Sequence, residues 1–87
     1  MKIKNGFVVR SIAGESVVVA LGEASKNFNG IIKLNDTGRF IWDRLSDGAE
    51  FSELVSAILS EYEIDEATAE ADVKAFVEIL EGAGIIE

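Results

Sequence analysis

The strongest constraint on this chain is a change of hydrophobic period at Asn35. Before that residue, short β-branched runs are bounded by glycines; after it, apolar residues recur every three to four positions as far as Leu80. In the first part, Val8 and Val9 precede a turn at Ala13-Gly14, and Ser16-Val17-Val18-Val19-Ala20-Leu21 follows it. Strands are therefore expected over 7–12 and 16–21, joined as a hairpin. The second run is continuously apolar instead of alternating, which predicts a central strand with some cover on both faces. After a polar connection from Gly22 to Asn29, the segment Gly30-Ile31-Ile32-Lys33-Leu34 predicts a third strand over 30–34, at the edge of a three-strand meander.

Three helices are expected beyond the switch. Asn35 or Asp36 caps a first helix over 36–46, with Phe40, Ile41 and Leu45 inward and a stop near Ser46-Asp47-Gly48. Phe51, Leu54, Val55, Ile58 and Leu59 form the i, i+3, i+4, i+7, i+8 stripe of a second helix over 51–61. Asp65 caps a third over 66–82, with Glu66 in its first turn, Ala69, Val73, Phe76, Val77 and Leu80 on its apolar face, and Gly82 and Gly84 as its stop. Ile85-Ile86 either adds a short strand or covers the core. The whole predicts an α+β domain over 1–87, a three-stranded antiparallel sheet followed by three helices. Its helical part resembles a helix-turn-helix on a small sheet, a winged-helix-like outline that carries no function by itself.

Composition then removes classes of chemistry. With no His and no Cys among 87 residues, the chain has no imidazole base, no Ser-His or Cys-His nucleophile, no disulfide and no thiolate metal site. No cofactor is expected. The net charge of −8 is divided unevenly: residues 1–34 hold five basic and two acidic side chains, residues 35–87 three basic and fourteen acidic. Phosphate backbones repel such a surface, which argues against nucleic acid as partner. Neither a signal peptide nor an apolar stretch of membrane-spanning length is present, so a cytoplasmic protein without membrane contact is expected.

The carboxylates Glu61, Glu63, Asp65 and Glu66 gather around one loop, but they fall at helix ends in a charged segment, where nothing raises a pKa for acid-base work. They also lack the ligand spacing of an EF-hand loop. Gly30, Gly38, Gly82 and Gly84 match no phosphate-cradling pattern. Asn35-Asp36-Thr37 fits a glycosylation sequon and is better read as a helix start. Trp42, beside Ile41 and Leu45, reads as a core residue, with an aromatic anchor at a contact surface as the alternative.

The most informative segment is the third strand. An edge carrying Ile31 and Ile32 with only Lys33 as a charged guard invites strand pairing, which proteins usually prevent. Either a peptide adds to it, drawing affinity from main-chain hydrogen bonds and selectivity from side-chain pockets, or the third helix or a second copy covers it. On the third helix Asp72, Ala75, Phe76 and Ile79 fall at i, i+3, i+4 and i+7, displaced from the core stripe. If helix and strand are neighbours, these residues and the strand would line a groove suited to an extended amphipathic peptide. Its acidic wall would attract Lys or Arg.

Leu34-Asn35-Asp36-Thr37-Gly38 directly after a short strand, the helix ending Trp42-Asp43-Arg44-Leu45, Asp47-Gly48, the apolar helix to Tyr62, Ile64-Asp65, then Val73-Phe76-Val77-Leu80 and Gly84-Ile85-Ile86 together resemble the PqqD family, over nearly the whole chain. Glu50 stands where that family often has Thr or Ser. The resemblance implies a non-catalytic domain of pyrroloquinoline quinone biosynthesis or of a related pathway that modifies ribosomally made peptides. Such a domain binds the leader segment of a precursor peptide as an added strand and presents the rest to a modifying enzyme, typically a radical S-adenosylmethionine protein. By position, the peptide-binding residues would be Ile31, Ile32, Lys33, Leu34, Asp72, Ala75, Phe76 and Ile79. The other readings are a winged-helix nucleic-acid binder, which the acidic third helix disfavours, and a homodimeric interaction module.

Overall fold

The computed structural model describes every residue except Asn27, Asn29 and Gly30. Its elements, in chain order, are β1 (Phe7–Ile12), β2 (Glu15–Ala20), a 3-10 turn (Gly22–Lys26), β3 (Ile32–Leu34), α1 (Asp36–Ser46), α2 (Phe51–Glu61) and α3 (Glu66–Gly82). The sheet is antiparallel with order β1-β2-β3, so three strands precede three helices, as the change of period implies. The winged-helix outline adds nothing to this description. No helix among the described residues is long and apolar enough to cross a membrane.

The hairpin closes on two residues with positive φ, Ala13 at 52° and Gly14 at 81°. Such a primed turn follows the right-handed twist of the strands, and it pairs Ile12 directly with Glu15. For that reason β2 begins at Glu15, one residue before the expected start. It ends at Ala20, with one further ladder-type hydrogen bond from the Leu21 N–H to the carbonyl of Gly6, the residue opposite it, at 2.7 Å. The polar connection holds an unexpected 3-10 turn, tied by a hydrogen bond from Ser25 Oγ to the Gly22 carbonyl at 2.6 Å. Strand β3 is shorter than expected. It pairs with β2 only through Ser16–Leu34, Val17–Lys33 and Val18–Ile32; Ile31 precedes it, and Gly30 lies outside the described residues.

The helix bounds coincide with the expected ranges because their signals are local. Asn35 Oδ1 accepts from the Gly38 N–H at 2.8 Å, and Asp65 Oδ1 from the Thr68 N–H at 2.7 Å. At α2 Glu50 stands at the N-cap, where Thr or Ser is usual, and its N–H donates to Glu53 Oε1 at 2.9 Å in a capping box. Helix α3 ends in a Schellman motif: Ile85 N–H reaches the Leu80 carbonyl at 2.9 Å, Gly84 N–H reaches Glu81 at 3.1 Å, and Gly84 has φ 74°. The chain end does both things left open above. Ile85 is fully buried, and Ile86 forms a single antiparallel bridge with Ile3.

One core joins Val18 and Leu34 of the sheet to Ile41, Trp42, Leu45, Leu54, Val55, Ile58, Ala69, Val73, Val77, Leu80 and Ile85. Trp42 is thus a core residue. Phe40 is half-buried, its edge against Tyr62 and its face under the Arg44 guanidinium, while Phe51 at the start of α2 is exposed. Phe7, Val9 and Ile32 share the core side of the sheet, since Val9, Val18 and Ile32 form one cross-strand row. Some cover is found on both faces of β2, since Val17 is only 5% exposed and Val19 is half-buried. Val18 enters the core, but Val17 and Val19 alternate to the opposite face, which contributes no residue to the core cluster.

Candidate functional site

Two elements far apart in sequence meet at one side of the molecule. Among the described residues strand β3 has β2 on one side only, which leaves the N–H and C=O groups of its other side without a ladder partner there. Facing it is α3, whose core stripe turns Ala69, Val73, Val77 and Leu80 inward and thereby places Asp72, Ala75, Phe76 and Ile79 along its flank.

Two adjoining open clefts run along this junction. The larger, about 570 Å³, has Lys33 and Leu34 on one wall and Phe76 and Ile79 on the other, with the hairpin end Gly14–Ser16 and Asn35-Asp36 closing it. The smaller, about 280 Å³, lies between the first turn of α1 and α3, where Thr37, Gly38 and Ile41 face Asp72, Ala75, Phe76 and Ile79. Phe76, Ile79 and Asn35 line both clefts.

Six of the eight residues expected at the site therefore converge. Leu34 and Phe76 form the apolar floor, buried and half-buried, while Ile79, at 56% exposure, stands uncovered in the wall. Asp72 and Ala75 are exposed on the flank of α3. Lys33 points away from the core and pairs with Glu15 across the sheet at 3.3 Å. The remaining two line neither cleft. Ile32 packs against the core, and Ile31, 68% exposed, leads out of the strand.

Residue-by-residue reading of the sequence missed the wall contributed by α1. Gly38 is buried in the first helical turn, where a Cβ would approach the Phe76 ring and Asn35 Oδ1 to 3.2 Å each. The available signal was a glycine placed inside a helix start, a costly choice unless a neighbour must come close. That neighbour is Phe76. The hairpin residues Gly14, Glu15 and Ser16 were missed because only strand pairing brings them beside Leu34.

The site is weakly acidic. Glu15, Asp36 and Asp72 border it against Lys33 alone, and Lys33 is already engaged with Glu15. Elsewhere, hydrogen bonds from Thr68 hold the Asp65 carboxyl below the usual carboxylate range, which marks a helix cap distant from the clefts. Among the described residues no group of three acidic side chains is placed to hold a metal ion. What the junction offers is a strand edge with free backbone groups, an apolar helix wall and acidic margins. These are the components of strand addition, in which an extended segment pairs with the edge and drops alternate side chains into pockets.

Comparison with solved structures leads to the same part of the molecule. The chain is similar to TbiB1 in complex with the TbiA(beta) leader peptide, with 31% identity and a TM-score of 0.79 over 100% of this chain and 95% of that one. It is also similar to lasso peptide synthetase B1 complexed with the leader peptide, with 27% identity and a TM-score of 0.74 over 97% and 93%. No curated protein sequence matches the chain. The family model for coenzyme PQQ synthesis protein D matches residues 15–86, from the first residue of β2 to the terminal bridge, and the chain belongs to this PqqD family.

Proposed function

We propose that this chain is a non-catalytic adaptor that binds the leader segment of a ribosomally made precursor peptide at β3 and presents the remainder to a modifying enzyme. The observation that carries the reading is the unpaired edge of β3 set across a cleft from Phe76 and Ile79. Two similar structures that are themselves complexes with leader peptides support it, as does membership of the PqqD family. The peptide enters as a fourth strand beside β3. Its apolar side chains reach Leu34, Phe76 and Ile79, and its basic side chains meet Asp36 and Asp72 at the margins. The receiving enzyme is a radical S-adenosylmethionine protein of pyrroloquinoline quinone synthesis or of a related peptide-modifying pathway, as the family resemblance implies.

The test is an NMR titration of the isotope-labelled domain with leader segments of precursor peptides encoded near its gene. Amide shifts are expected at Ile31–Leu34 and Asp72–Ile79. Phe76→Ala, and Lys33→Pro, which removes an N–H on the side of β3 away from β2, should weaken binding about tenfold or more while far-UV dichroism persists. A folded domain that gives no shifts with any leader segment, or two folded variants that bind as the wild type does, would sink the reading.

A further inference from the structure

The sheet has a second surface that the peptide site does not use. On the face away from the helices, Val8 pairs with Val19 and Ile12 with Glu15, while Arg10, Val17 and Lys33 form one cross-strand row. Val17 is only 5% exposed although it belongs to no core cluster, being flanked in register by Arg10 and Lys33. Ile12 at the end of this face is 54% exposed, and Ile31 at 68% continues the alternation beyond β3. The run Val17-Val18-Val19 is thus written for a strand covered on both sides, and on this side Val17 belongs to no core cluster, being flanked in register only by Arg10 and Lys33.

We propose that this face docks the enzyme that receives the peptide, through an apolar patch with an acidic rim. The inference rests on the adaptor reading above. Its first support is charge. The face carries Arg10, Lys33 and Glu15; Lys33 and Glu15 neutralise each other, and Arg10 has no ion-pair partner among the described residues. In a chain of net charge −8 this is a local surplus of positive charge, so a complementary surface is acidic. The second is size. Two six-residue strands and the three-residue β3, about 4.8 Å apart and rising about 3.3 Å per residue, present roughly 240 Å² in projection, well short of the ~800 Å² per partner typical of stable complexes. Such a patch suits a transient encounter better than a permanent dimer.

The third is continuity with the peptide site. A peptide added beside β3 extends the sheet by one strand, and alternate side chains of that strand emerge on this same outer face. An enzyme docked there touches adaptor and peptide together. Its affinity for the loaded domain should therefore exceed that for the free domain, and by linkage the enzyme should tighten peptide binding equally.

The test uses the purified peptide-modifying enzyme encoded with this chain, immobilised for biosensor titration against the domain with and without its leader peptide. Arg10→Glu is expected to weaken enzyme binding about tenfold and Ile12→Ser several-fold, with peptide affinity measured by NMR unchanged for both. Unaltered enzyme binding by both folded variants overturns the proposal, as does failure of the wild-type domain to bind the enzyme. Sedimentation showing a wild-type dimer that Arg10→Glu dissociates would assign the face to self-association instead. Loss of peptide binding by the wild type would count against the adaptor reading alone, because binding of the peptide-free domain reports on this face separately.

Discussion

Helix α3 has two faces with different duties. One turns Ala69, Val73, Val77 and Leu80 into the core, all under 7% exposed. The other, offset by part of a turn, sets Asp72, Ala75, Phe76 and Ile79 along the clefts beside β3. Residues as close as Ile79 and Leu80 therefore answer to different constraints. The first face is under the demand of packing, where every methylene removed leaves a void. The second is free of that demand, and its apolar side chains Phe76 and Ile79 open onto the clefts. Phe76 lies between the two, half-buried against Gly38 and open to both clefts.

The division makes graded predictions. Leu80→Ala attacks the packed face, where Leu80 is fully buried. It should cost about 2–5 kcal/mol in a denaturant melt, out of about 5–15 kcal/mol for a typical domain. Ile79→Ser, one residue earlier, should change stability by less than about 0.5 kcal/mol yet weaken leader-peptide binding about tenfold. If the two variants lose stability equally, the faces are not separable. Asn35→Ala removes the cap of α1 at the mouth of both clefts and should cost about 1 kcal/mol, read from the same melt.

The smallest effect concerns the start of α3. Because the folded-state pKa of Asp65 is depressed by hydrogen bonds from Thr68, its ionised form contributes stability above the ordinary carboxylate pKa and loses it as pH falls through the folded value. Asp65→Asn retains the cap but not the titration. A thermal melt should show the wild type ahead of this variant at neutral pH, with the gap closing below about pH 4. A gap independent of pH would mean that the carboxylate charge is not what anchors this end of the helix.

The site was legible in the sequence to the extent that it lies on helices and on an edge. The flanking stripe of α3 follows from helical spacing alone, and Ile79 and Phe76 fall where that spacing puts them. Ile31 and Ile32 were expected at the groove because a strand over 30–34 would have carried them there. The ladder begins only at Ile32, so pleat alternation sends Ile32 to the core with Leu34 and leaves Ile31 outside the strand. The α1 wall was hidden for a different reason. Gly38 reads in one dimension as a helix start, and its part in admitting Phe76 depends on a neighbour 38 positions away.

What the sequence determined by itself is therefore what local forces decide. Caps at Asn35 and Asp65, the glycine-terminated end at Gly84 and the 3.6-residue apolar stripes set all three helices to the residue, since each signal acts within a turn or two of chain. Tertiary structure alone decided the length of β3, which face of β2 joins the core, and the meeting of Leu34 with Phe76 in one cleft. Strand register and cleft formation are contacts between distant segments. Their free energy depends on how the whole core closes, and no window of sequence contains that information.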